Sequence, residues 1–72
     1  MKMSESEVAS AFEAMRTAGE LTRAEISDVS MLLARTSEID RDNLAQEPVY
    51  DAFLTSAAYI IRTAAQREHM RS

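Results

Sequence analysis

The chain contains no cysteine and no tryptophan, and it has one glycine, one proline and one histidine. Without cysteine, neither disulfide bonds nor thiolate-bound zinc can stabilise it, and a chain of 72 residues gains limited stability from its own core. Tight helix packing or association with another chain must supply the rest. The scarcity of glycine and proline beside abundant alanine, glutamate, arginine, methionine and leucine favours an all-α fold.

Basic residues are also scarce. The chain has eight lysines and arginines and twelve acidic residues, which gives a net charge of −4. We therefore expect no general affinity for nucleic acid or for anionic membrane surfaces, both of which require basic residues. No apolar run approaches the roughly 20 residues of a membrane-spanning helix. The first residues, MKMSESEV, lack the apolar core of a signal peptide. These features predict a cytoplasmic protein.

Patterns that would indicate catalysis or metal binding are missing from the sequence. His69 lies near the end of the last predicted helix, where a fraying terminus cannot hold a catalytic base with the required precision. Asp40 and Asp42 have the spacing that opens a calcium loop, but Leu44 occupies the position of the third oxygen ligand. No glycine-rich phosphate loop occurs. We predict that the protein is not an enzyme and that it binds no cofactor or metal.

The first predicted helix covers residues 5–18. Ser4 and Glu7 have the spacing of a capping box, in which each side chain bonds the backbone N–H of the other residue. Gly19 falls where a helix C-terminus favours a positive φ. One helical side is apolar and is expected to face the core: Val8, Ala11, Phe12, Met15 and Ala18.

The second predicted helix covers residues 23–35 and begins with the same signal, formed by Thr22 and Glu25. Its inner side carries Ile26, Val29, Leu32 and Leu33. Met31 projects to the other side of the helix. Met31 is therefore either core filler beneath a neighbouring helix or a contact for another chain.

The longest predicted helix covers residues 48–69 and organises the fold. Its apolar arc is about 160° wide, broader than the stripe of an ordinary surface helix, which indicates more than one neighbour. Tyr59 projects to the opposite side, among small and polar residues. Tyr59 is either an ordinary surface residue or a contact anchor, since tyrosine is enriched in binding hot spots. The apolar arc contains Tyr50, Phe53, Leu54, Ala57, Ala58, Ile60, Ile61, Ala64 and Ala65.

Residues 37–47 form the least periodic segment and are expected to connect the second and third helices, with Ile39 and Leu44 turned inward. Five acidic residues in or next to this segment are expected to form a solvated acidic surface: Glu38, Asp40, Asp42, Glu47 and Asp51. An alternative is that these carboxylates imitate phosphates and occupy a nucleic-acid-binding protein.

The sequence thus predicts one all-α domain over residues 1–72, in which a helical hairpin packs on a long C-terminal helix. Pairing of the long helices of two chains would give a symmetric dimer. The predicted inner layer contains Val8, Phe12, Met15, Ile26, Val29, Leu33, Phe53, Ala57, Ile60 and Ile61.

The predicted function is that of a small interaction module, a regulator, inhibitor or adaptor of the bacterial or phage accessory type. Its partner is expected to be a second copy, another cytosolic protein, or both. The alternative is a DNA-binding helix-turn-helix that opens at 21–26, although its acidic surroundings oppose DNA binding. The predicted contact residues are Tyr59, Met31, Tyr50, Leu54 and Ile61.

Overall fold

A computed structural model describes residues 2–40 and 42–71, except for the side chain of Leu44. Helix α1 covers Glu5–Thr17, α2 covers Arg23–Glu38, and α3 covers Glu47–Arg71. A short 3₁₀ helix, Leu44–Gln46, leads directly into α3. The predicted all-α fold of three helices is confirmed. Within the described ranges, no helix combines the length and the apolar content needed to cross a bilayer.

The first two helices begin at capping boxes. In α1, the Ser4 hydroxyl accepts from the Glu7 N–H at 3.2 Å, and the Glu7 carboxylate accepts from the Ser4 N–H at 3.0 Å. In α2, Thr22 and Glu25 make the same pair of bonds at 3.1 and 2.8 Å. Gly19 follows α1 with φ 73°, the left-handed conformation that glycine adopts without strain. Local sequence signals therefore determine both starts and the end of α1.

The end of α2 differs from the sequence prediction, because the helix continues to Glu38 instead of ending near residue 35. No glycine or proline interrupts this segment. Thr36 is only 1% exposed, and its hydroxyl donates to the Leu32 carbonyl at 2.7 Å. Burial of Thr36 against the core therefore holds the last turn of α2 in helical form. The chain then becomes extended at Ile39, which is half-buried.

The core lies where all three helices meet. Its buried apolar residues are Val8, Phe12, Met15, Val29, Leu54, Ala57, Ala58, Ile61 and Ala64. Ile26, Leu33 and Ile60 are half-buried and pack against this core, which places them at its edge. Phe53 was predicted to be in the inner layer, but it is only half-buried, whereas its neighbour Leu54 is fully inside.

Helices α2 and α3 run antiparallel, and two contacts fix their register. At one end, the Arg67 guanidinium makes a bidentate bond to the Glu25 carboxylate, at 2.8 and 2.9 Å. At the other end, Arg35 of α2 and Phe53 of α3 line the same shallow depression. Helix α1 meets α3 on a different side, where the Tyr50 hydroxyl donates to the carboxylate of α1 residue Glu5 at 2.9 Å.

The molecule is flat and extended for its length. Its principal extents are 44 × 23 × 16 Å and its radius of gyration is 12.7 Å, against about 11 Å for a compact domain of this length. Its accessible surface is 5103 Å², against about 4,450 Å² for an average folded monomer of this mass. The chain therefore exposes about 650 Å² more surface than a monomer of this size usually does.

Candidate interaction surface

Helices α1 and α2 cover two sides of α3 and leave its third side open. Residues on the open side are all exposed, and Tyr59 at their centre is 65% exposed. These residues carry no formal charge, although the exposed Arg62 borders them one heptad after Thr55. We call this set the α3 outer face, and it consists of Ala52, Thr55, Ser56, Tyr59, Thr63 and Gln66.

Met31 is the corresponding exposed apolar residue on α2, with 50% of its surface accessible. It lies between Asp28 and Arg35, which are also exposed and are separated by one heptad. At helical spacing these three residues point to similar sides of α2. We call them the α2 outer face. Together, the two outer faces form the surface considered below.

The register of the antiparallel pair brings Met31 and Tyr59, two of the four large apolar residues exposed in the described ranges, to about the same level. The Glu25–Arg67 ion pair marks one end of the α2–α3 contact, and the depression lined by Arg35 and Phe53 marks the other. Met31 lies near the middle of the α2 segment between these contacts, and Tyr59 lies near the middle of the α3 segment. Met31 and Tyr59 therefore lie at about the same height along the α2–α3 pair.

The ion pair between Glu25 and Arg67 holds the two outer faces in a fixed relation. The hydrogen bonds from Arg67, with the backbone hydrogen bond of the Thr22 cap, lower the pKa of Glu25 from 4.5 to about 2. The carboxylate is therefore charged at neutral pH. Arg67 also donates to the Glu20 carbonyl at 3.0 Å, so that one side chain ties α3 both to α2 and to the preceding turn.

Three of the five predicted contact residues lie elsewhere than expected. Leu54 and Ile61 are 4% and 3% exposed and belong to the core, because they face α1 and α2 within the same chain. They are therefore not part of the outer surface. Tyr50 is half-buried, and its hydroxyl bonds Glu5 in α1. The structure exposes only Met31 and Tyr59 of the predicted set.

The predicted acidic surface is divided between two regions. Glu38 lies beside the α2–α3 depression, whereas Glu47 and Asp51 lie in a cleft against the start of α1. Asp51 forms an ion pair with Lys2. Between these regions, the Asp40 carboxylate accepts from the backbone N–H of Asp42 at 3.0 Å and so shapes the local turn.

The cleft at the start of α1 was not predicted, because it depends on how the chain before α1 meets the beginning of α3. Three of its charged groups have partners within the chain: Lys2 pairs with Asp51, and Glu5 accepts from Tyr50. In the part of the chain that the structure describes, no three histidine or acidic side chains come together in a way that could hold a metal ion.

Comparison with known proteins does not assign this chain to a family. The chain matches no protein-family model, no curated protein and no solved structure. Any proposal about function therefore depends on the two outer faces themselves, on their exposure, their charge and the register that joins them.

Proposed function

We propose that this chain is a small helical interaction module, which acts by binding another polypeptide through the α2 and α3 outer faces. The observation that supports the proposal is the exposure of Tyr59 and Met31 at the same level of the α2–α3 pair. Tyrosine is enriched among the residues that carry most of the binding energy in protein interfaces. Small neighbours such as Ala52 and Ser56 would let a partner backbone come close to the ring.

The energy available at Tyr59 is large enough to matter. The side chain is 65% exposed, and with an aromatic area of roughly 200 Å² a partner would cover about 130 Å². At about 25 cal/mol per Å², that burial contributes about 3 kcal/mol before the costs of association. Thr63 and Gln66 lie on the same side of α3 and supply polar groups near the phenol.

A module of this kind would regulate, inhibit or adapt its partner by occupying part of the partner's surface. We do not propose the helix-turn-helix function, because the net charge is −4 and the segment that leads from α2 into α3 carries Asp40, Asp42 and Glu47, which oppose binding to DNA phosphates. Nor do we propose phosphate mimicry, because Asp51 is already paired with Lys2 and the Asp40 carboxylate accepts from the backbone N–H of Asp42.

Site-specific photo-crosslinking tests the proposal. A photoreactive amino acid at position 59 is expected to attach the chain to a discrete polypeptide when irradiated in the cells that produce it. Ser10 is the matched control position, since it is exposed on α1 and points away from Val8 and Phe12 in the core. Absence of a crosslink at position 59, or equal crosslinking at positions 59 and 10, would contradict the proposal.

A further inference from the structure

The charges of the α2 outer face change sign about its centre. Asp28 lies on one side of Met31 and Arg35 lies on the other, and all three are exposed. Among the residues that the structure describes, no ion pair involves Asp28 or Arg35. When this surface is turned end to end onto a copy of itself, the acid at 28 meets the base at 35, while the exposed Glu38 lies farther from the centre, at the end of α2.

The α3 outer face is centred at the same level along the helix pair as the α2 outer face. Tyr59 lies at the level of Met31, and small or uncharged residues extend from Tyr59 in both directions, from Ala52 to Gln66. A twofold axis through this level, perpendicular to the helices, would bring Tyr59 next to its own copy. Because α2 and α3 hold a fixed register, the same axis would bring Asp28 of each chain to Arg35 of the other.

We propose that the polypeptide bound by the outer faces is a second copy of this chain, packed antiparallel on the same surface. The inference rests on the proposed function and specifies its partner. Helix α3 would pack on α3 and α2 on α2, with Tyr59 and Met31 near the axis and two symmetric Asp28–Arg35 ion pairs at the sides. A parallel arrangement is disfavoured because it would place Asp28 against Asp28.

The available area agrees with a dimer of ordinary size. The chain as a whole exposes about 650 Å² more than a typical monomer of its mass, close to the roughly 800 Å² that one partner contributes to an interface of standard size. Specific protein interfaces bury about 1,200–2,000 Å². The broad sides of a molecule only 16 Å thick are also the surfaces that two copies can cover most efficiently.

Sedimentation equilibrium with charge-reversal variants tests this arrangement. Asp28→Arg and Arg35→Asp each create two like-charge contacts in the antiparallel dimer, and each is expected to weaken association about tenfold at low salt. The double variant Asp28→Arg/Arg35→Asp restores opposite charges across the axis. Its dissociation constant is expected to return to within about threefold of the wild-type value. Circular dichroism of each variant verifies that the helices are retained.

Three results would overturn the inference: a wild-type chain that stays monomeric up to millimolar concentration, single reversals that do not weaken association, or a double variant that remains as weak as the single ones. Stronger association of a single reversal would also overturn it, because each reversal places like charges together in the antiparallel dimer. If the wild-type chain is monomeric but position 59 crosslinks to a different protein, only the choice of partner fails. If the chain is monomeric and position 59 forms no crosslink, the proposed function fails as well.

Discussion

The bond between Glu25 and Arg67 allows a quantitative test of what holds α3 against α2. In Glu25→Gln, the side chain keeps its shape and its ability to complete the capping box with Thr22. It loses the negative charge that the Arg67 guanidinium binds through two hydrogen bonds, at 2.8 and 2.9 Å. The variant thus imitates the protonated form of Glu25 at every pH.

The magnitude follows from the lowered pKa of Glu25. A fall from 4.5 to about 2 corresponds to at most about 3 kcal/mol of stability at neutral pH. The side chains of Glu25 and Arg67 are 18% and 39% exposed, so solvent screens the pair and reduces its contribution. We therefore expect Glu25→Gln to lower the free energy of unfolding by about 1–2 kcal/mol at pH 7, a decrease in Tm of about 5–15 °C.

The pH dependence has a definite sign. Because the folded-state pKa of Glu25 lies below its unfolded value, the stabilisation is fully present above pH 4.5 and is lost as the pH falls toward 2. The difference between wild type and Glu25→Gln should therefore be largest at neutral pH and should nearly vanish at pH 2.

Urea unfolding followed by circular dichroism, at one fixed protein concentration, measures this difference at each pH. The matched control is Glu7→Gln, since Glu7 completes the capping box of α1 with Ser4 but is not bonded to an arginine in the described chain. Its effect should be much smaller. A wild-type advantage over Glu25→Gln that is the same at pH 7 and pH 2 would refute the reasoning, as would equal effects of the two substitutions.

Further predictions concern the core, the turn after α1 and the outer face. Leu54→Ala should cost about 2–5 kcal/mol of unfolding free energy by leaving a cavity, and Phe53→Ala clearly less; equal losses in urea titrations would contradict the placement of Leu54 in the core. Gly19→Ala should cost about 1–2 kcal/mol because φ is 73°, and Gly19→Asn should cost less in the same titration, since asparagine tolerates this conformation. Tyr59→Ala should preserve helicity by circular dichroism while weakening self-association at least tenfold by sedimentation equilibrium; unchanged association would remove Tyr59 from the interface.

Features encoded by neighbouring residues could be predicted from the sequence. The capping boxes at Ser4 and Thr22 and the positive φ of Gly19 depend on side chains within one helical turn. Helical periodicity also placed Tyr59 and Met31 away from the apolar stripes of their own helices, but it left open whether a neighbouring helix covers Met31, which the structure shows to be exposed.

Features that depend on how the helices approach each other could not be predicted. The wide apolar arc of α3 did not indicate which part of it faces α1 and α2, and so Phe53 was placed inside and Leu54 in the contact surface. The ion pair of Arg67 with Glu25 joins residues that are 42 positions apart. The common level of Met31 and Tyr59 follows from that pairing, which no local pattern contains.

The most direct test of the interaction surface is a dilution series of the wild-type chain, followed by amide chemical shifts in NMR spectra. We expect the signals of Met31, Ser56, Tyr59 and Thr63 to change between millimolar and micromolar concentration, while that of Ser10 on α1 stays constant. Shifts that do not depend on concentration, or changes confined to α1, would contradict the account of the outer faces as the site where two copies meet.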